Sequence, residues 1–259
     1  MGILNVTPDS FSDGGMFFDP SKAIKRGIEI EREGADILDI GGESTRPGAK
    51  EAPVSEQIRR VVPVIHALKG KIKIPISIDT SDAKVAKEAV EAGASIINDI
   101  TGLHKDKGIA DVASEYKTGL CIMHIKGAPG NMQDAPYYKD LMKEICGWLK
   151  DGIKIARAAG VSQSRIMIDP GIGFGKTLQH NLKILKNLHE LEKINRPLLI
   201  GPSRKSFIGK ILNLPPEERI MGTASAVAIS IMNGAHIVRV HDVKEMKQVA
   251  RLADAVLGV

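Results

Sequence analysis

The chain has 259 residues, of which 43% are hydrophobic, 26% charged and only 3% aromatic, with a formal charge of +5. That length buries a sizeable core and suits either two small domains or one α/β barrel. So few aromatics and so modest a charge argue against a base-stacking nucleic-acid surface, and the basic excess reads as a bias toward anionic small molecules. No apolar run approaches the roughly 20 residues of a membrane span. No charged-then-apolar leader opens the chain, and Val6 stands where a myristoylation pattern wants Ser or Thr. Cys121 and Cys146 lack C-x-x-C spacing and read as buried reduced thiols, which favours a cytoplasmic compartment.

Along the chain, short apolar runs alternate with amphipathic ones. Gly2 to Val6 predicts a strand and Pro20 to Glu33 a helix, with Asp19 as its cap and Pro20 at its first position. Strands are expected at Ala35 to Ile40, Pro75 to Ile78, Ala94 to Ile97 and Gly119 to Met123. Helices are expected at Ser55 to Leu68, Asp82 to Ala92, Ile109 to Tyr116 and Tyr137 to Ala159. Ile166 to Ile168 precedes a helix from about Leu178 to Ile194. Pro197 to Ile200 precedes helical segments on either side of Pro215-Pro216, and His236 to Val240 leads into a helix at Val243 to Leu257. Eight strand–helix units with near-continuous apolar strands predict a parallel sheet covered by helices. The expected architecture is one (β/α)₈ TIM barrel spanning residues 1–259, its first strand at the N-terminus; a doubly wound open sheet is the alternative.

Nearly every expected strand ends on a polar residue: Asn5, Asp39, Asp79, Asn98, His124, Asp169, Ser203 and His241. In a parallel barrel these would ring one mouth. Any one of them alone is better read as a turn or cap residue, but the near-unbroken series asks for a site. The stretch from Ile166 to Thr177 is the most telling. Its strand ends on a carboxylate, which is costly to bury unpaired, and runs into a glycine-rich turn. That turn matches neither phosphate-loop pattern: Pro170 breaks the Walker spacing and Lys176 takes the last glycine position of G-x-G-x-x-G.

The polar residues fall into three groups. Asp79, Asn98 and Asp169 offer acceptors and one amide, suited to the guanidine-like edge of a purine or pterin. Asn5, Arg46, Arg239 and His241 are anion-seeking, and Arg239 and His241, two apart, share a strand face where they could hold a diphosphate. For Arg239 the competing reading is a salt bridge to a neighbouring helix. Ser203-Arg204-Lys205-Ser206 precedes a helical run whose free N–H groups attract an anion, with Lys205 able to reach inward. Two glycine-bearing loops, Thr7 to Asp19 and Gly41 to Pro53, carry Phe11, Asp13, Thr45, Arg46 and Pro47 and are placed to close over a barrel site.

The segments NVTPDSFSDGG from Asn5 and DIGGESTRPGA from Asp39 resemble the two signatures of dihydropteroate synthases. The resemblance continues through SIDT, IND, Met123-His124, DPGIGFGK, SRKSFIG and RVHD, and so covers essentially the whole chain. It implies a (β/α)₈ transferase of folate synthesis that joins 6-hydroxymethyl-7,8-dihydropterin diphosphate to 4-aminobenzoate, through a dissociative, cationic pterin. By the same resemblance Asp79, Asn98, Asp169 and Lys205 meet the pterin, with Met123, Phe174 and Gly173 shaping its pocket. Asn5, Arg239, His241 and Arg46 would bind the diphosphate, and Asn5 would ligate Mg²⁺. Thr45, Pro47, Phe11 and Ser206 would form the aminobenzoate site, with Asp13 completing the closed loops. Asp39 matches the family without a definite role. A homodimer on the late helices is implied, with Gly222 to Met232 small and apolar enough for close packing, as is the status of a sulfonamide target. The family usually has residues before its first strand, which here begins at Met1. Rival readings are a methyltransferase passing a methyl group from folate to a corrinoid, which has no use for Arg46, SRKS or RVHD, and a pterin-binding protein without catalysis.

Overall fold

The computed structural model describes residues 1–7, 19–43 and 52–259. Its strands are β1 (Gly2–Asn5), β2 (Leu38–Gly41), β3 (Ile76–Asp79), β4 (Ile96–Asp99), β5 (Gly119–Met123), β6 (Ile166–Asp169), β7 (Leu199–Ile200) and β8 (Ile237–Val238). Between and after them lie α1 (Pro20–Arg32), α2 (Val54–Leu68), α3 (Ala83–Ala92), α4 (Gly108–Glu115), α5 (Leu141–Ala158), α6 (Leu178–Lys186), α7 (Ser206–Leu212), α8 (Ile220–Met232) and α9 (Val243–Leu257).

β1 to β6 pair in parallel and in sequence order, and β7 pairs with β8. Single parallel bridges join Ile168 to Leu198 and Gly2 to Val240, so the ring of strands closes on itself. The Ile3 N–H donates to Val240 O at 3.0 Å, and the Val240 N–H to Met1 O at 3.0 Å. Closure excludes the open doubly wound sheet, which would leave two edges.

Alternation along each strand divides two cores. Ile76 and Ile78 of β3, like Leu38 and Ile40 of β2, are buried against the helices. Their in-between neighbours turn into the barrel, where Met1, Cys121 and Leu199 pack with Ile37, Met167 and Ile237. Register keeps this inner set level: Asp39 pairs with Ser77, and Cys121 with Met167. The polar tips therefore share one end of the barrel because the strands run parallel and in register.

Helix starts follow local chemistry. Asp19 accepts from the Ser21 N–H at 2.8 Å, with Pro20 inside the first turn, and Asp82 caps α3 through the N–H groups of Lys84 and Val85. The expected helix from Tyr137 begins only at Leu141, because Asp140 caps it there. The run from Leu178 breaks at Asn187 into α6 and a 3-10 turn at Leu188–Ile194. The last two strands are shorter than expected, two residues each.

Candidate active site

The deepest part of the rim is a charged lattice. Arg239, just beyond β8, donates from Nε to Asp39 Oδ2 at 2.6 Å and from Nη2 to Asp79 Oδ2 at 2.7 Å. Asn98 donates from Nδ2 to the same Asp39 oxygen at 3.3 Å. The anion-seeking and ring-reading groups of the sequence are thus interlocked rather than separate. Arg239 pairs with strand carboxylates and not with a helix. Asp39 is not a strand-end residue as expected: β2 continues to Gly41, and Asp39 lies inside the barrel, fully buried.

Burial works against the Arg239 charge, and the carboxylates of Asp39 and Asp79 more than offset it. Burial pushes the Asp79 carboxyl above the usual carboxylate range, opposed by Arg239 and reinforced by Asp39. One guanidinium between two carboxylates, with burial holding Asp79 toward its neutral form, makes a site where an added cation would favour ionisation of Asp79.

Asn5, at the tip of β1, is half-buried. It approaches this lattice across Gly41, where a Cβ would lie 3.7 Å from Asn5 Oδ1 and 3.8 Å from Asp79 Oδ2.

Asp169, at the tip of β6, accepts the Gly171 N–H on Oδ1 at 2.6 Å. Burial raises its carboxyl to about 6, against the pull of that bond and of Lys205 and Lys176. The turn that follows needs its glycines. Gly171 has φ +69°, and a Cβ there would stand 2.0 Å from His124 O. Gly173 has φ +84°, and its bare α-carbon leaves room for Lys205, whose Cδ would be 3.1 Å from a Cβ. Lys205 does reach inward, its Nζ 4.1 Å from the centre of the Phe174 ring. Burial lowers its ammonium to about 8, Arg239 adding and Asp169 and Asp79 opposing. Phe174 and Met123 pack with Ile100, Ile125 and Met132 into an apolar patch beside these polar groups.

His241 and Ser203 form a second unit. The His241 N–H donates to Ser203 Oγ at 3.2 Å, and that oxygen lies 3.0 Å from His241 Nδ1. The pair holds the imidazole through Nδ1 and leaves Nε2 outside it. Burial, with Arg239 and Arg204 nearby, lowers His241 to about 4 and keeps it neutral. Arg204 forms a two-pronged ion pair with Asp242, just after His241. Ser206 opens α7 and is exposed.

One residue behaves differently from the sequence reading, and a second makes a contact that reading did not foresee. His124 does not join the charged lattice: it is buried, and its Nδ1 takes Lys176 Nζ at 2.9 Å. Lys176 also donates to Phe174 O at 2.9 Å, which ties it into the turn and leaves it no freedom to act as a phosphate-loop lysine. Sequence reasoning missed this brace, whose only signal was a lysine inside a glycine turn. Phe11, Asp13, Thr45, Arg46 and Pro47 lie outside the described residues. Among the described residues no group of three or more His, Cys, Asp or Glu is set to hold a metal.

The family described as pterin binding enzyme matches residues 1–241. The chain belongs to the dihydropteroate synthase family of pterin-binding enzymes. A dihydropteroate synthase from Clostridium beijerinckii is 51% identical, with 99% of this chain and 93% of the relative covered. The Yersinia pestis dihydropteroate synthase, solved with a sulfonamide drug complex, superposes with a TM-score of 0.94 at 45% identity, covering 100% of this chain and 94% of that one. The Xanthomonas albilineans dihydropteroate synthase in complex with 7,8-dihydropteroate gives a TM-score of 0.89 at 37% identity, covering 100% of this chain and 93% of that one. Members of this family are transferases of folate synthesis built on a TIM barrel, and the closed ring described above is that fold.

Proposed function

We propose that this protein condenses 6-hydroxymethyl-7,8-dihydropterin diphosphate with 4-aminobenzoate to give 7,8-dihydropteroate and diphosphate. The observation that carries this reading is the meeting of Asp79, Asn98 and Arg239 in one hydrogen-bonded lattice, beside Asp169, Lys205 and the Met123–Phe174 patch. Carboxylates and an amide suit the donor-rich edge of the pterin, and the apolar patch suits its face. Arg239 and the imidazole of His241 suit the diphosphate, and the exposed start of α7 at Ser206 suits the carboxylate of 4-aminobenzoate.

Departure of diphosphate leaves a cationic methylene delocalised into the pterin ring. The cation would favour the ionised forms of Asp79 and Asp169, which in turn stabilise it, and the arylamine then attacks it with no protein nucleophile. The buried thiol of Cys121, raised by burial, is accordingly inert. A poorer leaving group that left the chemical step equally fast would contradict this pathway.

Mg²⁺ accepts one or two protein oxygens together with substrate phosphates and water. Asn5, whose oxygen, like one of Asp79, lies close to the bare α-carbon of Gly41, fits such a site. The ion would there neutralise charge on the departing diphosphate. We read residues 1–259 as one domain and, from its two free cysteines, as cytoplasmic. Among the described residues no helix is long and apolar enough to cross a membrane. Exposed Met221, Ile229 and Met232 on α8 and Leu252 and Val256 on α9 support a homodimer through this face. Met221→Lys should shift the protein toward monomer in sedimentation velocity.

The deciding assay measures steady-state diphosphate release with each substrate alone and with both. Release that requires both supports the synthase. Pterin binding without turnover would instead indicate a binding protein, and methyl transfer to a corrinoid the rival enzyme.

A further inference from the structure

Asp39 takes no part in the contacts assigned above, yet it lies beneath two of them. It is fully buried in β2, level with Ile3 and Ser77 of the adjoining strands. Its Oδ2 receives both Arg239 Nε and Asn98 Nδ2, while among the described residues its Oδ1 has no hydrogen-bond partner. Asp39 is the foremost electrostatic partner of Arg239, ahead of Asp79, yet a buried carboxylate with one oxygen unpartnered is a costly way to hold a single guanidinium. Its geometry gives it another use.

An asparagine amide that spends one N–H on a buried carboxylate cannot flip without setting its oxygen against that carboxylate. Asn98 is therefore held with Oδ1 and its second N–H, which make no hydrogen bond among the described residues, turned to a ligand. Arg239 is held in the same manner. Nε and Nη2 are spent on Asp39 and Asp79, and Nη1 makes no hydrogen bond among the described residues.

We propose that Asp39 is a positioning residue for both halves of the substrate, fixing through one oxygen the face of the Asn98 amide and the aim of the Arg239 guanidinium. This rests on the reading that Asn98 meets the pterin ring and Arg239 the diphosphate. Ring recognition and diphosphate recognition are then coupled through a carboxylate that touches neither.

The test is a pair of double-mutant cycles read by calorimetry, with the pterin alcohol and the pterin diphosphate as separate ligands. Asp39→Asn should weaken the diphosphate about tenfold and the alcohol by a smaller factor, as expected for a displaced polar partner. In an Asn98→Ala background the alcohol penalty should fall below about twofold, and in an Arg239→Ala background the diphosphate-specific part should do the same. Penalties that multiply unchanged through both backgrounds would show that Asp39 acts through neither residue and overturn the proposal. Asn98→Ala binding the alcohol normally, with Arg239→Ala binding the diphosphate normally, would instead overturn the underlying reading of the site. A measurement on the unmutated protein guards against misfolded variants. With ¹⁵N-asparagine labelling, one side-chain N–H of Asn98 should be protected from solvent exchange before any ligand is added. Equal, fast exchange of both protons would sink the proposal.

Discussion

The ammonium of Lys205 stands 4.1 Å above the centre of the Phe174 ring, each arriving from the loop after a different strand. The contact joins the turn after β6 to the start of α7 and sets a positive charge over an apolar surface, an arrangement strengthened by desolvation. Because burial lowers this ammonium to about 8, its charge is lost just above neutrality. Affinity for the pterin diphosphate should therefore fall between pH 7 and 9. Stability should move the other way. Between about 8 and the ordinary 10.5 the unfolded chain binds more protons than the fold, so this group's contribution rises with pH. Calorimetry and urea unfolding across that range read the two trends, and Lys205→Met should abolish both.

Asp169→Asn should separate binding from stability. Its carboxyl titrates near 6 in the fold against 3.8 ordinarily. Across that window the fold holds the extra proton, and above it the buried charge is a cost. At pH 7 the asparagine variant should resist urea at least as well as the parent. It should bind the pterin alcohol more weakly by about 1–3 kcal/mol, as a charged acceptor is lost. Unchanged affinity would remove Asp169 from the ring site.

Arg239→Ala should harm the diphosphate-bearing substrate far more than the free alcohol. Both ligands meet the ring-reading residues, and only one carries the phosphates. Equal losses in calorimetric affinity would contradict a role on the anion.

Gly171→Ala should destabilise the protein by about 2 kcal/mol or more, since a side chain there combines a disfavoured backbone with a backbone clash. The obstacle is His124 O, 2.0 Å from the added carbon. Urea unfolding measures the loss, and a neutral substitution would mean that the turn relaxes.

The barrel and its polar rim were legible in the sequence because both follow from local rules. Short, near-continuous apolar runs and capping at Asp19 need no distant information. Lys205 facing inward and Asp79, Asn98 and Arg239 meeting at one end follow once the strands are parallel. What escaped was pairing across the chain. Arg239 and Asp39 are 200 residues apart, and nothing in either neighbourhood chooses between a helix partner and a strand partner. The Lys176–His124 contact escaped for the same reason: His124 looked like rim chemistry, and nothing near Lys176 named its partner. Element ends shifted wherever a side chain, such as Asp140, stopped a helix that periodicity would have continued.

The two joints that close the barrel, Ile168–Leu198 and Gly2–Val240, are single bridges flanking its two shortest strands. β1 to β6 share ladders of three or four registered pairs, and β7 and β8 share two. A hoop riveted so thinly on one side yields there first when strained. Amide deuterium uptake should accordingly begin around β7 and β8, the arc that carries Ser203, Lys205, Arg239 and His241, while the carboxylate arc stays shut. The half of the mouth proposed to hold the diphosphate would then lie in the part of the hoop expected to open first.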